Sequence, residues 1–190
     1  MKFLTVPFLA LALIGCAQGP GEPVWAEQDV LSIGDSISIG YQPFIANSVH
    51  NPGNASTATH TRDRVEQWLG GKMYRTIVFN NGLHDVMYNL GKVDEHAAEY
   101  KQSLEATADI ILKHTPNPIF VLSTHCRDAD YGAWNADTIQ YNQMAREIMA
   151  RKGIRVVDLW TLSLSLTTTD GVHYDEASYR VLADEVSRAL

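Results

Sequence analysis

The sequence is poor in three things, and each deficit removes a class of protein. It has only 2 cysteines in 190 residues, too few for a disulfide framework. Basic residues are outnumbered, 15 Lys+Arg against 22 Asp+Glu, giving a formal charge of −7. No positive field is available to displace counterions from phosphates, so no nucleic-acid partner is expected. Long apolar runs are missing beyond the first stretch, Phe3 to Ile14, and that stretch is shorter than the roughly 20 residues needed to span a bilayer. Internal repeats are also absent. What remains is 45% hydrophobic and 19% charged, the composition of an ordinary globular domain, at a length that suits one domain with a real core.

The apolar run follows Met1-Lys2 and closes in Leu13-Ile14-Gly15-Cys16. A short positive end before a run of this length suits the apolar region of a secretory signal. The closing tetrapeptide resembles a bacterial lipobox, which implies a signal peptide over 1–15 and a lipid anchor on Cys16, the first residue of the mature chain. Simple cleavage near Ala17, with secretion, is the alternative. Gln18 to Pro23, rich in Gly and Pro, reads as a tether, so 16–28 is assigned to the lipidated Cys and tether and 29–190 to the domain. An Asp after the Cys would resemble an inner-membrane retention signal. Ala17 stands there instead, pointing to the outer membrane or a periplasm-facing position in the cell envelope. Cys126 is then the lone thiol and reads as a small buried hydrophobe.

Along the domain, short apolar runs alternate with helical patterns, the signature of a parallel sheet with helices on both faces. Strands are predicted at 30–33, 48–50, 76–79, 119–122 and 155–159. Helices are predicted at 41–46, 62–69, 94–114 (the longest), 138–152 and 176–190, with Gly153 as a C-terminal stop.

Ligand crevices in such sheets lie beyond the carboxyl ends of the strands. Gly34-Asp35-Ser36, Asn80 to Asp85, Thr124 to Tyr131 and Asp170-Gly171-Val172-His173 all fall there. Ser36 sits where a strand turns into a helix, and a serine hydroxyl attacks a carbonyl only when a base takes its proton. His173 is the obvious base. Asp170, three residues earlier, can hold the same imidazole in the right tautomer. Read separately, each motif is also satisfied by a helix cap or a surface turn.

Together, and in this order, they resemble the SGNH/GDSL hydrolases, serine esterases on a compact flavodoxin-like sheet. The first block appears as Val30 to Ser38, the third as Gly82-Leu83-His84-Asp85 and the last as Asp170-Gly171-Val172-His173, so the likeness spans 29–190. It implies a three-layer α/β/α sandwich around a five-stranded parallel sheet, with Ser36 as nucleophile, His173 as base and Asp170 as its orienter. No metal and no cofactor are implied. The oxyanion donors would be the Ser36 N–H, the Ser56 N–H and the His84 side chain. Ser56 stands where the family has Gly in its second block, with Gly53 and Asn54 as fallbacks should the register differ. His84 stands where the family has Asn. The G-x-S-x-G elbow of α/β-hydrolases is absent, because Ser38 occupies its last position.

Asp35, Asn81, Arg127, Tyr131 and Trp134 are candidate substrate contacts. His125, Asp128 and Asp130 match no familiar metal spacing, and His50, His60, His96 and His114 read as structural or surface residues. The expected activity is hydrolysis of a small acyl ester, acetyl above all, on a glycan or other polar alcohol. Lysophospholipase or thioesterase action and a non-catalytic envelope binding protein on the same scaffold stand as rivals. A nucleotide binder is disfavoured because no phosphate-wrapping loop follows the first strand.

Overall fold

The computed structural model describes residues 22–127 and 131–190. Cys16, the signal segment, Asp128 and Asp130 lie outside the described residues. Five strands form one sheet: β1 (Val30–Ile33), β2 (Ser48–His50), β3 (Thr76–Phe79), β4 (Asn117–Val121) and β5 (Arg155–Val157). They lie in the order β2-β1-β3-β4-β5, and every pairing is parallel. This is the flavodoxin-like arrangement that the sequence predicts.

The chain leaves β1 toward β2 on one side and β3 on the other, which opens a crevice at the switch point between β1 and β3. Register brings the ends of these two strands level. Ile33 faces Phe79, and the Asn80 N–H reaches the Ile33 carbonyl at 3.0 Å. The loops that follow, one carrying Ser36 and the other His84, therefore start side by side.

Strand alternation divides the core into two layers. Leu31, Ile77, Phe79 and Phe120 pack against α2 (Ala58–Leu69), α4 (Val93–Ile111) and α5 (Gly132–Lys152). Val30, Val78, Ile119 and Val121 pack the opposite face against α1 (Ser36–Tyr41), α6 (Leu159–Ser163) and α7 (Glu176–Ser187). Each fully buried side chain of this size contributes roughly 1.5–3 kcal/mol. The short α3 (Leu83–Tyr88) sits at the carboxyl edge and gives Leu83 to one layer and Val86 to the other.

Most differences from the predicted elements arise at caps, which apolar periodicity does not reveal. The first helix begins at Ser36 rather than Tyr41, because the Asp35 carboxylate caps the Ile37 N–H. A 3-10 turn over Gln42–Phe44, with Pro43 near its start, replaces the rest of the predicted 41–46 helix. Thr57 caps α2, which starts at Ala58, four residues upstream of the predicted start. Asp158 ends β5 early by accepting the Thr161 N–H, and so begins α6, an element the sequence reading lacks. The longest helix is α5, 21 residues against 19 for α4. Gly153 ends α5 in the left-handed region (φ 67°), as predicted. Before β1, Trp25 bridges to Met73, and Arg75 lies over the Trp25 ring, so Val24–Ala26 are tied to the domain by backbone hydrogen bonds with Met73 although they fall in the stretch assigned to the tether. Among the described residues, no helix is long and apolar enough to cross a membrane.

Candidate active site

The turn after β1 is held from several sides. Gly34 donates its N–H to Asn51 Oδ1 (3.0 Å), and its carbonyl accepts the Ala55 N–H (2.8 Å). A Cβ on Gly34 would stand 1.8 Å from Asn80 Oδ1 and 2.5 Å from Ser38 Oγ, so no side chain fits. Asp35, only 2% exposed, accepts from the Ile37 N–H and from Asn80 Nδ2, both at 3.0 Å. Ser38 Oγ lies 2.7 Å from both the Asp35 carbonyl and His50 Nε2. These contacts set Ser36 at the first position of α1, its hydroxyl toward the crevice.

The last loop brings the other two groups. Asp170 Oδ1 accepts the Val172 and His173 N–H groups at 3.0 and 2.7 Å, and its Oδ2 lies 2.7 Å from His173 Nδ1. His173 Nε2 lies 2.9 Å from Ser36 Oγ, across 137 residues of chain. Chemistry fixes the proton directions, since an ionised carboxylate can only accept. Nδ1 therefore carries the ring proton, and Nε2 presents its lone pair to the Ser36 hydroxyl. The His173 hydrogen bond, followed by the two backbone N–H groups, pulls the Asp170 carboxyl down to about 2. Asp170 stays an acceptor at any pH where the imidazole could serve as a base.

The three groups open on a cavity of about 380 Å³. Its walls include the predicted Tyr131 and Trp134, an edge-to-face pair at 4.8 Å, together with His84 and Asn54. Leu83, Met87 and Val172 give it an apolar side. The sequence reading did not single these three out, because nothing in their spacing marks them.

Other predicted contacts belong to the scaffold. Asp35 is a buried cap. Asn81, 1% exposed, donates from Nδ2 to the Ser56 carbonyl and to Thr61 Oγ1. Arg127 donates to the Leu164 and Leu166 carbonyls at 3.1 and 2.9 Å, which ties two loops together. None of the three lines the cavity. Gly53 is also off the cavity, on the turn closed by Asn51.

Ser56 does take the left-handed conformation that the family's Gly would supply (φ 56°). Its N–H, however, is given to Asn54 Oδ1 at 2.7 Å, and Asn54 rather than Ser56 borders the cavity. The partner of an N–H must be the amide oxygen, so the Asn54 NH₂ is the free end. At His84 the buried Nδ1 has no partner among the described residues. An orphan lone pair costs less than an orphan N–H, which favours the tautomer with its proton on Nε2. Cys126 is buried, and desolvation pushes its thiol up to about 12. It is an inert hydrophobe, as expected.

Asp85 ties the start of α3 to the start of α2, both of its oxygens accepting the Ala58 N–H at 3.1 and 3.2 Å. Burial raises its carboxyl to about 7 despite these bonds. The fold favours the protonated form, so the native state binds more protons than the unfolded chain between the ordinary carboxylate range and that value. Stability contributed at this site therefore falls as pH rises through that window. Asp85→Asn is expected to lose this dependence. Urea midpoints at pH 5 and 8 should show the wild type losing ground to the variant as pH rises; a gap independent of pH would contradict the assignment.

No protein-family model matches the sequence, and no curated protein matches it by sequence. Solved structures do. A member of the lipolytic protein G-D-S-L family from Veillonella parvula is 18% identical, with a TM-score of 0.68 over 84% of this chain and 96% of its own. An acetyl xylan esterase, AlAXEase, is 16% identical, with a TM-score of 0.72 over 85% and 98%. Axe2, an acetylxylan esterase from Geobacillus stearothermophilus, is 16% identical, with a TM-score of 0.68 over 87% and 95%. The chain shares the fold of these proteins across nearly their whole length.

Proposed function

We propose that the protein is a serine ester hydrolase that removes a small acyl group, acetyl above all, from a carbohydrate or other polar alcohol through an acyl-enzyme. The observation that carries this reading is the unbroken chain Asp170–His173–Ser36, with links of 2.7 and 2.9 Å, opening on one cavity. Ser36 Oγ attacks the ester carbonyl carbon while its proton passes to His173 Nε2, and Asp170 stabilises the imidazolium that forms. Collapse of the tetrahedral intermediate expels the alcohol, which takes that proton. Water, deprotonated by the same imidazole, then hydrolyses the acyl-serine.

The developing oxyanion needs donors where charge appears. The Ser36 N–H, the His84 Nε2–H and the Asn54 amide are the donors in this reading, and the Ser56 N–H serves instead to aim Asn54. A small acyl group is supported by two of the structural relatives, which are esterases of acetylated xylan by name. The apolar wall of Leu83, Met87 and Val172 favours a second reading, a longer acyl chain as in a lysophospholipase or thioesterase. Envelope placement through a lipid on Cys16, with 1–15 removed, rests on the leader alone.

A series of p-nitrophenyl esters from two to ten carbons, with an O-acetylated xylo-oligosaccharide, decides among these. The expected result is the highest kcat/KM for acetyl, and release of acetate from the sugar. Preference for the long chains would overturn the acyl assignment, and no turnover of any ester would leave only the binding scaffold.

A further inference from the structure

A second cavity, of about 340 Å³, lies on the far side of α3 from the triad. His84 and Met87 of α3 face the catalytic cavity, whereas Asp85, Tyr88 and Asn89 border this one. Tyr100 and Tyr141, edge-to-face at 4.7 Å, contribute two further aromatic rings, and His96 and Glu99 of α4 line it as well.

Three observations define what could occupy it. First, Tyr141 is wholly buried, yet its hydroxyl has no hydrogen-bond partner among the described residues. Burial, and after it the Asp85 carboxyl, push this hydroxyl up to about 12, so it stays a neutral group that can both donate and accept. A buried orphan of this kind normally marks an unmade contact. Second, acceptors dominate the lining: the Glu99 carboxyl, the Asn89 amide oxygen and the tyrosine hydroxyls. Third, neither Lys nor Arg lines it. The nearby Arg62 is turned to Asp63 (2.8 Å) and Ser103 (3.1 Å). Anions are therefore disfavoured, and a neutral polyol would use the hydroxyls but leave the carboxyl charge unanswered. A primary ammonium carries three donors and one positive charge, and tyrosine rings at short range attract cations.

We propose that this cavity binds a small ligand through a primary ammonium group, held by the Glu99 carboxyl and the Tyr141 hydroxyl. The site is separate from the ester-hydrolysing one, and its test reads binding, not turnover.

The probes are glucosamine and glucose, which differ in an ammonium and a hydroxyl, titrated calorimetrically into the wild-type protein at low salt. Glucosamine is expected to bind at least about tenfold more tightly than glucose. Glu99→Gln and Tyr141→Phe should each weaken glucosamine about tenfold or more, the usual consequence of losing a hydrogen bond to a charged group. Glu99 lies at the cavity rim, so its variant should retain the wild-type thermal midpoint, and removing the orphan hydroxyl leaves the Tyr141 ring packing intact. Hydrolysis of p-nitrophenyl acetate should be unaltered in both. Absence of glucosamine binding, equal affinity for the two sugars, or full affinity in either variant would overturn the proposal.

Discussion

Ser36→Ala is expected to lower kcat for p-nitrophenyl acetate about 10⁶-fold, and His173→Ala by about the same amount, with the double variant no worse than either. The reason for this non-additivity is that nucleophile and base act as one unit. The Ser36 hydroxyl is a weak nucleophile without the lone pair 2.9 Å away on His173 Nε2, and the imidazole has nothing to deprotonate without Ser36. Stopped-assay kcat values for the three variants check this, and losses that multiply in the double variant would dissolve the pair. Asp170→Asn should cost less than the ~10⁴ typical of a buried orienting carboxylate, because the Asp170 side chain is 54% exposed and water screens its charge. Asp170, held at about 2, stays an ionised acceptor for the imidazole N–H far below neutral pH.

Gly34→Ala should disable the protein by a different route. The added methyl would sit 1.8 Å from Asn80 Oδ1, and Asn80 cannot withdraw freely because its Nδ2 is bonded to Asp35. Either the β1 turn shifts or the Asn80–Asp35 bond breaks, and both displace the cap that starts α1 at Ser36. Overpacking of this kind costs on the order of 1–3 kcal/mol, and more where the neighbours are fixed. The measurable result is a urea midpoint clearly below that of the wild type, together with a large loss of kcat in whatever fraction stays folded. A variant with wild-type stability and activity would mean that this turn is far more yielding than its contacts imply.

Much of the architecture was legible because it rests on local pattern. The runs at Val30–Ile33 and Thr76–Phe79 are short, mostly apolar and buried on both faces, as strands between two helix layers must be. The stripe Leu104, Ala108, Ile111 repeats at helical spacing. Periodicity puts the first helix at Tyr41 although the motif already sets Ser36 at a strand-to-helix turn, and it gives no sign of the helix at Leu159, since each start depends on one carboxylate, Asp35 or Asp158, turning back to a backbone N–H. Among the site residues, Ser36, Asp170, His173, His84, Tyr131 and Trp134 meet at one cavity, whereas Asp35, Asn81 and Arg127, equally polar and as close in sequence to that edge, turn into the scaffold. Residue type does not distinguish these two groups. The difference lies in which way each side chain points once the sheet has formed.

The sequence by itself determined the alternation of strand and helix and the two motifs at opposite ends of the domain, because apolar periodicity and short motifs are written within a few residues. Only the tertiary structure decided that Asn54 rather than Ser56 borders the cavity, that Asn80 braces Asp35, and that α3 separates two cavities of different chemistry. These outcomes depend on parallel register and on contacts between residues far apart in the chain, and no local pattern records where such partners will meet.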